Sequence, residues 1–142
     1  MRFILLSLMI VSVSCAPPEN LKNENVQVAQ KLFDAFNTHD WKAMAALYSN
    51  SAMFLDPSFG KDYVRQSREQ TIAKYGEIQK IFPDIKDNVA GIYPSGDKVV
   101  AEFISTGKSD QGFGLNLPIV TVFTIHNGQI IRDATYYDLE NL

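Results

Sequence analysis

A chain of 142 residues with 46% hydrophobic and 20% charged side chains has apolar surface for one buried core, which argues against a disordered chain and for a single domain with one main pocket at most. A net charge of −3 without a basic run argues against nucleic-acid binding, which needs clustered Lys and Arg to neutralise phosphates. One cysteine and two histidines without ligand spacing offer no metal site, and no cofactor is implied.

Arg2 precedes a mostly apolar run from Phe3 to Val13, followed by Ser14-Cys15-Ala16-Pro17-Pro18. The run is shorter than the roughly 20 residues that cross a bilayer, so residues 1–14 are expected to be a signal peptide. A small residue then cysteine at its end resembles the bacterial lipobox, which implies that the Cys15 thiol is acylated and becomes the mature N-terminus. The other reading is cleavage by the ordinary signal peptidase, for which Ser12 and Ser14 are acceptable and which leaves a free thiol. Removing residues 1–14 takes away Arg2 and leaves a charge of −4. Residues 15–24, rich in Pro, Asn and Glu, are expected to be a solvated tether, with the domain in residues 25–142. The expected location is a membrane-anchored lipoprotein, periplasmic or at the cell surface, touching the membrane through its lipid alone.

Ala29, Leu32, Phe33 and Phe36 fall at helical spacing from Val26 onward. Asn37-Thr38-His39-Asp40 breaks that helix, and Asp40 is placed to cap a short second one carrying Trp41, Met44, Ala45 and Tyr48 on one face. Ala52–Asp56 reads as a strand ended by Pro57, and a third helix is expected from about Tyr63 to Ile81, with exit at Pro83. Strands follow over Ile85–Tyr93, Val99–Thr106, Ile119–His126 and Gln129–Leu139. The fold class is therefore α+β: three N-terminal helices packed in a curved, mixed, mainly antiparallel sheet.

Asn127-Gly128 between two alternating runs is the strongest hairpin signal in the chain. With His126 opposite Gln129, uninterrupted alternation pairs Thr124 with Ile131, Val122 with Asp133, Val120 with Thr135 and Pro118 with Tyr137. That register puts Asp133 on one face with Val120, Val122, Thr135 and Tyr137. The opposite face carries Ile119, Phe123 and Ile130, an apolar surface suited to a second subunit or another protein.

The order helix, Asn37-Thr38-His39-Asp40, helix ending Ala45-Ala46-Leu47-Tyr48, strand ending Asp56-Pro57, helix ending Phe82-Pro83-Asp84, hairpin through Asn127-Gly128, and terminal Tyr136-Tyr137-Asp138 resembles the SnoaL-like branch of the nuclear-transport-factor-2-like fold. The resemblance implies a cone whose curved sheet wraps the helices around an apolar cavity, and pairing as homodimers. In ketosteroid isomerase, on the same fold, the general base is an aspartate before proline at the end of the first strand, as in Asp56-Pro57. Burial would raise its pKa and suit it to proton transfer. That enzyme's oxyanion donors fall at Leu32 and Val120, which donate nothing. In limonene epoxide hydrolase the last strand reads Arg-Asp-Tyr-Phe-Asp. Here it reads Ala134-Thr135-Tyr136-Tyr137-Asp138, so that catalytic aspartate is Thr135, and its charged partners fall at Phe103 and Ser105. SnoaL-like cyclases pair an aspartate with a histidine, and the two histidines here, His39 and His126, lie between helices and at a hairpin tip, where solvated roles are ordinary.

The candidates carried forward are Asp56 and Asp133 as catalytic general bases or as turn and surface carboxylates, with Trp41, Tyr48, Phe54, Phe103, Val120, Val122, Thr135 and Tyr137 as cavity wall or core. The expected function is an exported lipoprotein binding a small hydrophobic or amphipathic molecule. The alternatives are a cofactor-free isomerase, cyclase or dehydratase using a cavity aspartate, and a dimeric protein-interaction module.

Overall fold

The computed structural model describes residues 19–138, with side chains from residue 24. The expected signal peptide, Cys15 and the Leu139 end of the last strand lie outside the described residues. Three helices, α1 (Glu19–Asn37), α2 (Trp41–Ala46) and α3 (Arg68–Ile81), accompany six strands: β1 (Tyr48–Leu55), β2 (Val64–Gln66), β3 (Lys86–Ser95), β4 (Lys98–Lys108), β5 (Gly114–His126) and β6 (Gln129–Tyr136). The strands form one curved sheet in the order β2-β1-β6-β5-β4-β3, antiparallel except where β1 runs parallel to β6. The fold is thus α+β with helices packed on a mixed sheet.

Several boundaries differ from the sequence expectation, each for a local reason. Helix α1 starts at Glu19, inside the stretch expected to be tether. Tyr48 opens β1 instead of extending α2, because the guanidinium of Arg68 donates to its carbonyl at 2.9 and 2.7 Å and pins the chain there. Helix α3 starts at Arg68, five residues later than expected. Ser67 and Gln70 form a reciprocal capping box, Gln70 N to Ser67 Oγ at 3.2 Å and Ser67 N to Gln70 Oε1 at 2.8 Å, which leaves Val64–Gln66 free to pair with β1 as an edge strand. Asp40 caps α2 as anticipated, accepting from Ala43 N at 2.9 Å.

The β5–β6 hairpin corrects the expected register. His126 faces Gln129 and Ile125 faces Ile130, but a bulge then shifts the ladder so that Thr124 pairs with Arg132, Phe123 with Asp133 and Thr121 with Thr135. Ile131 is the extra residue. Asp133 therefore shares its face with Thr121, Phe123 and Thr135, not with Val120 and Val122. Phe123 and Ile130 are buried in the core, so the outer face is formed instead by residues such as Ile104, Val120 and Tyr136.

The hairpin turn has Asn127 at φ 50° and Gly128 at φ 73°. A Cβ built on Gly128 would meet no neighbour, so Gly128→Ala should cost only the backbone strain of left-handed geometry, about 1–2 kcal/mol. Equilibrium denaturation reads this directly, and an unchanged midpoint would contradict the turn geometry.

Candidate functional site

Between the helices and the concave sheet face lies an open cavity of about 460 Å³. Its wall is largely apolar, with Leu32, Phe33 and Phe36 from α1 facing Phe103, Leu117 and Phe123 from the sheet. Phe33 meets Phe103 edge-on at 5.0 Å, and Tyr75 from α3 meets Phe36 edge-on at 5.7 Å. Into this wall are set three aspartates, in three different environments.

Asp133, on β6, is 5% exposed. Its Oδ2 accepts from the Tyr48 hydroxyl at 2.7 Å, and its Oδ1 accepts from Thr121 and Thr135 at 2.7 and 2.9 Å. Burial drives its pKa above the ordinary carboxylate range, against the three hydroxyls that favour the charged form. The same burial, with the charge of Asp133 beside it, raises the Tyr48 phenol well above its usual value.

Asp56 follows β1. Its Oδ1 accepts from Ser58 N at 2.8 Å, Ser58 Oγ at 2.6 Å and the Tyr137 hydroxyl at 2.7 Å, while its Oδ2 takes Lys74 Nζ at 2.6 Å. Burial works to raise its pKa, but Lys74 and these donors outweigh it, so Asp56 lies below the ordinary carboxylate range, not above it as the sequence suggested. Tyr137, half-buried and donating to that carboxylate, is pushed up to about 12 by desolvation first and then by Asp56.

Asp87, on β3, was not singled out in the sequence, although it shares the inner face with Ile85. It is 6% exposed and accepts a hydrogen bond from Ser105 Oγ, while the Asn37 side chain bonds its backbone N–H and carbonyl at 2.8 and 2.9 Å. Burial pushes its carboxyl up to about 7, the Ser105 hydroxyl opposing.

Of the candidate wall residues, Tyr48, Phe103, Thr135 and Tyr137 line the cavity with Asp56 and Asp133. Trp41 does not. It stacks on Tyr75 at 5.7 Å and on His39 at 5.3 Å, and donates from Nε1 to Gln79 at 2.8 Å. Phe54 is core packing behind Tyr48, their rings 5.0 Å apart. Val120 and Val122 sit on the opposite side of β5 from Thr121 and Phe123, as strand alternation requires, and the bulge in β6 places Asp133 on the Thr121 side instead of theirs. His39 is not a solvated histidine: it bonds Ile85 O at 2.7 Å and the Gln79 amide at 2.9 Å, whereas His126 is exposed at the hairpin. Among the described residues no cluster of His, Cys, Asp and Glu is arranged to hold a metal ion.

Asp87 sets a pH dependence whose sign follows from its proton affinity. It ionises near pH 4 when unfolded and near 7 when folded, so between these values the folded state binds more protons and stability falls as pH rises. Asp87→Asn should therefore gain on the wild type from about pH 4 to about pH 7, by on the order of a few kcal/mol in denaturation free energy, and level off above. A difference constant across that range would show that Asp87 does not titrate there.

The SnoaL-like domain family matches residues 29–133. Similar solved structures include a protein from a Jannaschia species put forward as a SnoaL-like polyketide cyclase, at 24% identity and a TM-score of 0.73, covering 87% of this chain and 92% of that one. A Catenulispora acidiphila protein with a ketosteroid isomerase-like fold, solved in complex with trimethylamine, is 17% identical, with a TM-score of 0.71 and coverage of 81% and 88%. A cystatin-fold protein from Novosphingobium aromaticivorans is 18% identical, with a TM-score of 0.69 and coverage of 79% and 97%. No curated protein matches the chain. Helices cupped in the curved sheet, the cavity between them and the family match over most of the chain lead to one conclusion: this chain belongs to the SnoaL-like family.

Proposed function

We propose that the domain binds a small hydrophobic or amphipathic molecule in the cavity and is held in the periplasm or at the cell surface by a lipid anchor at Cys15. The observation that carries the binding reading is the hollow of about 460 Å³, walled by aliphatic and aromatic side chains with a few polar groups set among them, the usual composition of a small-molecule site. Asp133 and Asp87 also support a second reading, in which a cavity carboxyl moves a proton in a cofactor-free isomerisation, cyclisation or dehydration. Burial raises the proton affinity of both carboxyls, as suits general acid–base chemistry near neutral pH. Asp56, held charged by Lys74, suits orientation of a ligand better than proton transfer. The outer sheet face, with Ile104, Val120 and Tyr136 exposed, supports pairing as a homodimer.

Leu117 is 5% exposed and lines the cavity, so Leu117→Trp should fill the space. Saturation-transfer NMR with propylbenzene should show contact with the wild type and lose it in this variant, with melting temperature confirming the fold. Equal transfer to both would mean that the cavity is not the binding site. For the anchor, metabolic labelling with a fatty-acid analogue should mark the wild type and leave Cys15→Ser unlabelled. Label retained on Cys15→Ser, or absent from both, would rule out acylation at this position.

A further inference from the structure

Asp87 differs from the other cavity aspartates in how its oxygens are used. Asp133 and Asp56 each have both oxygens engaged by protein donors. Asp87 accepts a single side-chain hydrogen bond, from Ser105, on Oδ1. Among the described residues no protein group donates to its Oδ2, and none of them leaves a buried side-chain polar atom without a partner, so this oxygen opens to the cavity that Asp87 lines. The Tyr75 hydroxyl, also at the cavity wall, has no hydrogen-bond partner among the described residues either.

The surroundings favour a cation at that oxygen. Ser105 pairs across the sheet with Leu117, and Phe103 stands two residues along β4 on the same face, in contact with Phe33. Asp56, Glu77, Asp87 and Asp133 line the cavity against one cationic residue, Lys74. That lysine is committed elsewhere: it contacts Asp56 at 2.6 Å and lies 4.2 Å from the centre of the Phe59 ring. A carboxyl among apolar walls gains most from a partner of opposite charge, and aromatic faces attract the same partner.

We propose that the Asp87 carboxylate anchors the amino group of a small apolar amine, bound as its ammonium ion, with Phe33, Phe103 and Tyr75 forming the wall around it. The proposal rests on the cavity being a ligand site. Binding of a cation favours the charged form of Asp87, so near neutral pH the amine displaces a proton from the carboxyl. A neutral ligand accepting a hydrogen bond from the protonated acid would have the opposite pH dependence. Asp87 is bonded by Asn37 of α1 and Ser105 of β4, and the titratable groups that share the cavity with it are Tyr75, Lys74 and Glu77 of α3, Tyr48 of β1, Asp133 of β6, and Tyr137 after it. Asp56 lies at the end of β1, and His39 is bonded to the neighbouring Ile85 carbonyl.

The test uses phenethylammonium, charged from about pH 6 to about pH 8, and its uncharged counterpart propylbenzene, against the purified wild type and Asp87→Asn. Asparagine matches the shape of the protonated acid, and melting temperature confirms the fold of the variant. The expected result for the wild type is about a tenfold rise in phenethylammonium affinity across that range, as the ionised fraction of Asp87 grows, with proton release seen as a buffer-dependent heat. Asp87→Asn should bind the amine at least about tenfold more weakly at the upper pH, without the pH dependence, while propylbenzene binds both proteins alike. Amine affinity that is flat, that increases as pH falls, or that is unchanged in Asp87→Asn overturns the proposal. If propylbenzene alone binds, the amine assignment fails and the cavity reading stands; if neither probe binds, both fall together.

Discussion

A carboxyl group in an apolar interior has to be supplied with hydrogen bonds, because an uncompensated buried charge costs several kcal/mol. Asp133 is in that position, and its donors come from three strands: Tyr48 on β1, Thr121 on β5 and Thr135 on β6. Thr121 and Thr135 also contact each other at 3.0 Å, so the cluster ties the centre of the sheet together. A slip of β6 by one residue would present Arg132 to this cluster and put Asp133 on the outer face. The bulge at Ile131 is what lets the chain bury Ile130 and Asp133 on the same side. The orientation of Thr135 and Tyr137 toward the cavity follows from that register, and the polar lining of the hollow depends on it.

Three aspartates share one cavity without sharing one chemistry. Asp56 sits where Lys74 compensates its charge, which holds its carboxyl below the ordinary carboxylate range despite its burial. Asp133 is buried more deeply, but its hydroxyl partners use both oxygens, which makes it the structural centre of the site. Asp87 has burial without compensation beyond Ser105, and so titrates near neutrality with one oxygen open. Environment separates the roles of like residues here, as in other sites with several carboxyls.

The helices, the α+β order and the Asn127-Gly128 hairpin were legible in the sequence, because periodicity and turn chemistry act over a few residues. The family resemblance added the cavity and drew attention to Asp56. What failed to show were features decided by pairing between distant segments. Ser67-x-x-Gln70 is a readable capping signal, but an apolar pattern running back to Tyr63 masked it. The bulge at Ile131 leaves no mark in alternation, since Ile130 and Ile131 are equally apolar, and it reversed the partners assigned to Asp133. Asp87 had a weak local signal, a lone acid on the inner face beside Ile85. Its meaning came from Ser105 on the neighbouring strand and Asn37 fifty residues earlier in the chain.

The hollow itself bears on whether the site is used. A dry void of about 460 Å³ at about 24 cal/mol per Å³ would cost about 11 kcal/mol, comparable to the whole stability of a domain this size. The space is therefore open to water or ligand, not an empty defect in packing. The rings that could collapse into it are already engaged: Phe33 against Phe103 and Phe123, and Phe36 against Trp41 and Tyr75. Inward collapse would also bury Asp87 more deeply without giving its free oxygen a partner. An apolar ligand with a cationic end relieves both problems, since its body replaces water along the aromatic wall and its charge meets the one cavity aspartate, among the described residues, that the protein leaves half-bonded.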